Sequence, residues 1–285
     1  MNVDNEPPQP LIVAFVADLM FSTQIAKVAN HTGYHVTWIE SAELMGHVDS
    51  ERSGEKPGES LYGREGRLFD QITAWQPALL LFDLGNQAIP WQTWIPALKS
   101  SPATRRIPIM CFGPHEDVAT MRAAADSGAE VVLARSRFMN DMPNLFSRYA
   151  RIPDTDSLHT ACAEPLTALA REGIDLFNQG AYYKCHDALE EAWVLDRGPG
   201  RDLYRGILQI GIAYYQIERG NYRGAVKMLL RVRQWLAPLP PACRQVDVAR
   251  LRQDAERVYE ALLELGPERL SEFDRSLFRP VTLIE

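Results

Sequence analysis

The residues best suited to chemistry lie in the second half of the chain, at helical spacing. His186, Glu190 and Trp193 fall at positions i, i+4 and i+7, on one face of a predicted helix. Arg205 and Gln209, also four residues apart, share a face of the next helix, which is apolar on nearly every other side. If these faces meet, the five side chains form a polar cluster inside an apolar bundle. Arg205 is then the natural partner of the Glu190 carboxylate, because burying an unpaired carboxylate is costly.

Three interpretations of this cluster stay open. It can be a structural hydrogen-bond network that fixes how the helices pack. It can line a small pocket for a ligand or partner peptide, with Trp193 and Tyr182 as walls. His186 and Glu190 can also be catalytic candidates, as an acid/base pair or metal ligands. A metal site needs three or four ligands, however, and no third histidine lies in the helical core, so we expect no bound metal.

A line of basic residues forms a second candidate surface. Its members recur every four residues: Arg219, Arg223, Lys227 and Arg231. Such a line can meet phosphates or an acidic protein, but it is more typical of a solvated helix face. The 285-residue chain carries a net charge of −7 and lacks the basicity of a nucleic-acid binder, so we expect no nucleic-acid partner.

The cysteines and the N-terminus predict the compartment. None of Cys111, Cys162, Cys185 and Cys243 belongs to a C-x-x-C pair, which favours reduced, packed thiols. The first residues are polar and proline-rich, unlike a signal peptide, and the apolar runs are too short to span a bilayer. We therefore expect a cytoplasmic protein with no membrane partner.

The first half of the chain alternates strand and helix patterns. Continuous apolar runs at residues 11–16 and 78–82 are typical of parallel strands buried on both faces. Further strands are predicted at 35–39, 107–112 and 131–134, with helices between them. Five strands alternating with five helices predict an α/β domain over residues 10–150, with a doubly wound five-stranded parallel sheet of the receiver or flavodoxin-like type.

The second half reads as all-α. Residues 151–158 predict a polar linker, and residues 159–266 predict a helical bundle with hairpins like those of tetratricopeptide repeats. Five helices are expected, near 163–178, 181–196, 201–219, 221–236 and 245–264. The remaining segments are predicted as a disordered N-terminal tail at 1–9, a mobile loop at about 46–63 and a C-terminal tail at 267–285.

The first domain resembles the receiver domain of bacterial response regulators. Residues 77–84 (PALLLFDL) are similar to the receiver's third strand, with its phospho-accepting aspartate at Asp83. Residues 98–110 resemble the third helix and fourth strand, and residues 128–135 resemble the fifth strand. The resemblance covers roughly residues 10–150.

The chemistry of a receiver is only partly preserved. Receivers carry an acidic pair after the first strand to bind Mg²⁺, whereas this chain has Ala17 and Asp18. Gly113 stands where receivers have threonine or serine, and Arg135 stands in place of their lysine. The resemblance thus implies a pseudo-receiver whose Asp83 only forms hydrogen bonds. The alternative is a true phospho-accepting response regulator, which would need Mg²⁺.

A second resemblance covers the helical half. The motif F-N-x-G-x-Y-Y-x-x-H-x-x-x-E-x-x-W at 177–193, R-G-x-x-Q at 205–209 and G-N-x-x-G-A at 220–225 are similar to the family called domain of unknown function 309. The match covers about 165–235 of a helical region at 160–265. It implies a fold and a motif but no reaction.

Together these features favour a signalling or adaptor protein rather than an enzyme. A degenerate receiver-like sensory domain would be followed by a helical output or binding domain, with a protein or small ligand as partner and a homodimer by analogy with receivers. We expect no cofactor, apart from Mg²⁺ if Asp83 is phosphorylated. The alternatives are a true response regulator and an enzyme that uses His186 and Glu190.

Overall fold

A computed structural model describes residues 9–46 and 61–284 of the chain. The chain divides into two compact units, Met1–Ile152 and Pro153–Glu285. The predicted disordered tail, except for residue 9, and most of the predicted mobile loop at 46–63 lie outside the described residues. No helix in the described ranges combines the length and hydrophobicity needed to cross a bilayer.

The first unit is a parallel sheet covered by helices. Its strands are β1 (Leu11–Phe15), β2 (His35–Trp38), β3 (Leu79–Asp83), β4 (Ile109–Gly113) and β5 (Val131–Ala134). Its α-helices are α1 (Leu19–His31), α2 (Gly63–Trp75), α3 (Trp91–Ser100), α4 (Val118–Asp126) and α5 (Arg135–Tyr149). The strands pair in parallel in the order β2-β1-β3-β4-β5, the flavodoxin-like order. The predicted α/β fold is confirmed.

The continuous apolar strands are buried because helices cover both faces of the sheet. Every residue of β3 and β4 is buried. Successive side chains point to opposite faces, so two apolar clusters form, one on each side. Phe82 stacks on Phe15 at a centroid distance of 4.1 Å on one side, and Phe112 stacks on Phe138 at 4.4 Å on the other.

The sheet register brings the candidate residues to one edge. Asp83 is the last residue of β3 and pairs with Phe112, and Gly113 ends β4 beside Ala134 of β5. Helix α5 begins at Arg135, directly after β5. The carboxyl ends of parallel strands meet at the same edge, so these residues lie where ligands bind in such sheets.

The second unit is built mainly from helices. They are α6 (Thr155–Ala163), α7 (Ala168–Asn178), α8 (Cys185–Leu195), α9 (Asp202–Glu218), α10 (Tyr222–Leu236) and α11 (Val248–Leu265). Helix α9 packs against α7, α8 and α10, which explains why it is apolar on nearly every side.

Two local features of this unit differ from the sequence prediction. Residues 155–158 of the predicted linker form the start of α6, which is capped by the Asp154 carboxylate. Residues 242–247 form a short antiparallel hairpin of β6 (Ala242–Cys243) and β7 (Val246–Asp247) that was not predicted, and the helix predicted near 245–264 follows it as α11. The two residues of its turn, Arg244 and Gln245, both have positive φ, which matches the twist of a tight hairpin.

The expectation of four reduced cysteines was also wrong. Cys162 at the end of α6 and Cys243 in β6 form a disulfide across 81 positions of sequence. No sequence motif marks this pair, because the two residues meet only through the packing of the hairpin on α6. Cys111 and Cys185 are free and buried, and burial raises the pKa of the Cys185 thiol to about 12 and also raises that of Cys111.

The predicted C-terminal tail packs onto the helices of the second unit. Phe278 stacks on Tyr214 of α9 with ring centroids 4.2 Å apart. The Val281 amide donates to Oδ1 of Asn178 at 2.7 Å, and Nδ2 of Asn178 donates to the Val281 carbonyl at 3.1 Å. Through Phe278 and Val281, this segment therefore contacts α9 and α7.

Candidate functional site

The Asp83 carboxylate lies at the carboxyl edge of the sheet and is already engaged. The residue is 4% exposed. Its Oδ1 accepts a hydrogen bond from the Gly85 amide at 2.9 Å. Nη2 of Arg135 lies 3.1 Å from Oδ1 and 3.4 Å from Oδ2. A cation fixed at the start of α5 thus neutralises the buried carboxylate.

Gly85 and Phe21 position the Arg135 guanidinium. A Cβ atom at residue 85 would lie 2.3 Å from Nη2 of Arg135, so glycine leaves the space that the guanidinium occupies. The guanidinium also lies over the Phe21 ring, 4.9 Å from its centroid. Neither Gly85 nor Phe21 was singled out from the sequence, since nothing local marks them as neighbours of a residue 50 or more positions away.

The residues around Asp83 do not fit the Mg²⁺ site of a phosphorylatable receiver. Oδ1 of Asp18 caps α1 by accepting from the amides of Met20 and Phe21 at 2.9 and 3.1 Å. A metal ion would have to share the Asp83 carboxylate with the Arg135 guanidinium. Within the described ranges, no three His, Cys, Asp or Glu side chains lie close enough together to hold a metal.

In the second unit, His186 and Glu190 form a solvent-accessible pair on α8. Nδ1 of His186 lies 3.8 Å from Oε2 of Glu190 and 3.4 Å from Oδ1 of Asp187. The Glu190 side chain is exposed. His186 is thus an ionic partner of Glu190 on the same helix.

Arg205 lies between two tryptophans. Its guanidinium is 4.6 Å from the ring centroid of Trp193 on α8 and 4.3 Å from that of Trp235 on α10. Arg201 also lies over the Trp193 ring, at 4.9 Å. A guanidinium over an indole face is favourable because the ring presents negative charge there. Arg205 thus joins three helices through cation–π contacts, and the predicted cluster did not include Trp235.

Two polar atoms of the five residues predicted to cluster are buried without a hydrogen bond. They are Nε1 of Trp193, a donor, and Oε1 of Gln209, an acceptor, and neither has a partner in the part of the chain that the structure describes. A buried polar atom without a partner costs about 1–3 kcal/mol, so most such atoms in proteins have an explanation.

Tyr182 does not form a wall of this cluster, contrary to expectation. Its ring packs edge-on against Phe177, Tyr214 and Phe278 at 5.3–5.7 Å. Burial raises the pKa of the Tyr182 hydroxyl. The tyrosine thus belongs to the aromatic core around α9.

The basic line is divided between two helices, so the expected single basic face is wrong. Arg219 is the C-cap of α9, and its Nη1 donates to the Tyr215 hydroxyl at 3.0 Å. Arg223, Lys227 and Arg231 follow on α10, which begins at Tyr222 after a glycine turn.

Comparison with known proteins gives a family match in the helical unit. Residues 170–228 match the family model "Domain of unknown function (DUF309)". The match confirms the resemblance drawn from the motif. It contains all five residues of the predicted polar cluster, whereas Trp235 lies outside it.

An uncharacterized protein of Aquifex aeolicus (strain VF5) is 24% identical over 125 residues. The aligned region covers 41% of this chain and 38% of the relative. The DUF309 match and this relative therefore each describe only part of the protein.

Several solved structures similar to this chain are receiver domains. One is the receiver domain of the sensor histidine kinase PA1611 from Pseudomonas aeruginosa PAO1, which is 12% identical with a TM-score of 0.37. It covers 50% of this chain and 97% of its own. A putative response regulator from Chloroflexus aurantiacus J-10-fl is 18% identical with a TM-score of 0.36, and covers 50% of this chain and 100% of its own.

Proposed function

We propose that this protein is a signalling or adaptor protein whose receiver-like unit works without phosphorylation of Asp83. The observation that carries the proposal is the contact between Arg135 and the Asp83 carboxylate at 3.1 Å. A carboxylate that attacks a phosphodonor needs a free oxygen and a metal to neutralise the phosphoryl group. Arg135 occupies the carboxylate oxygens of Asp83 and competes with a metal ion for them.

Two neighbouring positions support the same conclusion. Gly113 offers no hydroxyl with which to bind a phosphoryl oxygen at the end of β4. The Asp18 carboxylate, the acidic group after β1, is engaged by the first amides of α1. The Arg135–Asp83 pair would then give the unit one fixed arrangement in place of a switch between two states.

The helical unit would supply the binding function. Support comes from Nε1 of Trp193, whose ring lies under the Arg205 guanidinium, and from Oε1 of Gln209, a buried donor and a buried acceptor without a hydrogen bond in the described part of the chain. Both atoms are buried, so a partner peptide or small ligand would reach them only if these helices move apart, and it would then recover the free energy that their burial costs.

The test of the receiver-like unit is exposure to a phosphodonor. The full chain is incubated with Mg²⁺ and acetyl phosphate, and its intact mass is measured beside a phosphorylatable response regulator in the same buffer. We expect the control to gain a phosphoryl group and this protein to keep its mass. A phosphoryl adduct on the wild-type chain that is absent from Asp83→Asn would establish a true response regulator instead.

A further inference from the structure

A pocket of about 580 Å³ opens in the helical unit, and none of its lining residues belongs to the predicted polar cluster. It is formed by the end of α6, the start of α7, the end of α8 and the turn of the β6–β7 hairpin. The lining residues that matter for its chemistry are Glu164, Leu169, Leu195, Asp196, Arg197 and Arg244. The volume is within the usual range for small-molecule sites.

The polar end of this pocket is a buried arginine. The Arg244 side chain is 2% exposed. Its Nε donates to the Ala161 carbonyl at 3.2 Å, and its Nη1 contacts the buried Tyr204 hydroxyl and lies 2.6 Å from Oδ2 of Asp196. These partners are a main-chain oxygen and two side chains with little exposure, so they hold the guanidinium in place.

The position of Arg244 is also fixed through its backbone. Its amide donates to the Cys162 carbonyl at 2.7 Å, and the preceding residue, Cys243, is tied to Cys162 by the disulfide. A Cβ atom at Gly200 would lie 2.9 Å from Nε of Arg244, so glycine there makes room for the guanidinium. A group fixed in this way loses little conformational freedom when it binds a ligand.

The fourth partner of Arg244 differs from the others. Nη2 donates to Oε2 of Glu164 at 3.1 Å, and the Glu164 side chain is 63% exposed. A flexible, exposed carboxylate contributes little to such a pair, about 0–1 kcal/mol, because water replaces the contact readily. Glu164 can therefore swing into solvent and leave Nη2 facing the pocket.

We propose that this pocket binds a small carboxylate with an apolar body, and that the ligand carboxylate replaces Glu164 on Nη2 of Arg244. Arginine is suited to the role because its guanidinium matches carboxylate geometry. Leu169 and Leu195 line the pocket and offer apolar contacts, and the Leu195 side chain is 65% exposed. The exposed Arg197 adds a second positive charge to the lining.

The test uses the full chain and hexanoate as the probe, with isothermal titration calorimetry as the readout. Hexanamide and hexylamine are the matched ligands without a negative charge. We expect saturable hexanoate binding, and at least about tenfold weaker binding of hexanamide, because the charge-assisted hydrogen bond is lost. Glu164→Gln should bind hexanoate up to about fivefold more tightly, because its side chain competes less for Nη2.

Two surface variants on α8 keep the test independent of folding. Leu195→Asp places a negative charge in the pocket and should abolish hexanoate binding. Val194→Asp puts the same charge on an exposed neighbour that is not among the lining residues, and should leave binding unchanged. Preference for hexylamine would assign the pocket to cations through Glu164 and Asp196. A preference for hexylamine would overturn the proposal, and so would equal binding of hexanoate by the two variants. The proposal would also fail if hexanoate up to about 10 mM showed no saturable binding to the folded protein.

Discussion

At the scale of single residues, the candidate sites are defined by the partners of each charged side chain. Asp83 pairs with Arg135, Arg244 pairs with two carboxylates, and the Arg205 guanidinium lies over two indole rings. The buried charges of Asp83 and Arg244 need such ionic partners, because burying an unpaired charge is costly. Gln209 is different, since its buried Oε1 has no hydrogen bond in the described part of the chain.

A substitution at Gln209 can therefore show whether its side chain stabilises the fold or is kept at the expense of stability. We expect Gln209→Leu to raise the free energy of unfolding by about 1 kcal/mol, because it removes a buried acceptor without a partner and keeps a similar shape. Urea denaturation of the wild type and the variant measures the change. Gln216→Leu, on the same helix, is the control, since the side-chain oxygen of Gln216 accepts from Asn221 at 2.8 Å and its loss should not stabilise. A fall in stability for Gln209→Leu would mean that the amide is part of the structural network.

At the scale of elements, the ends of the helices decide how the chain enters the sheet. Helix α2 ends at Trp75, and its C-cap Gln76 has φ 46° and ψ 56°, the left-handed conformation, shortly before β3. A residue with a side chain pays a steric cost in this conformation that glycine avoids. The reversal is needed because the chain must turn from the helix layer into the central strand that carries Asp83.

We therefore expect Gln76→Gly to stabilise the first unit by up to about 1 kcal/mol, despite losing the hydrogen bond from Nε2 to the Thr73 carbonyl. The measurement is the midpoint and slope of urea unfolding. Gln76→Ala, which loses the same hydrogen bond and keeps a Cβ atom, serves as the control and should destabilise. If glycine is no better than alanine, the left-handed cap is not a source of strain.

At the scale of the whole molecule, the disulfide between Cys162 and Cys243 closes a long loop of the helical unit. A crosslink over such a loop restricts the unfolded chain and typically contributes about 2–4 kcal/mol. The first unit contains no half of this bond, so its unfolding should not depend on it.

Reduction should therefore lower the melting temperature of the helical unit alone. Differential scanning calorimetry with and without a phosphine reductant gives the shift, and the double variant Cys162→Ala/Cys243→Ala should behave like the reduced wild type. Thiol titration of the denatured, unreduced protein should find the two free thiols, Cys111 and Cys185. Four reactive thiols, or an unchanged thermogram, would contradict the crosslink.

The sequence by itself determined the elements and their layers. Continuous apolar runs required strands buried on both faces, and the alternation of strands with helices required a parallel sheet with Asp83 at its carboxyl edge. An all-round apolar pattern likewise placed α9 in the middle of its bundle. These features follow from neighbours within a few residues, which set the period of a helix or a strand.

Only the tertiary structure decided which partners meet. It placed the Arg205 guanidinium over the rings of Trp193 and Trp235, and it joined Cys162 to Cys243 beside Arg244. These contacts connect different helices and a hairpin across 12 to 81 positions of sequence, so they depend on how whole elements rotate and pack. Side-chain periodicity fixes the face on which a residue lies, but the packing of the core fixes what stands opposite that face.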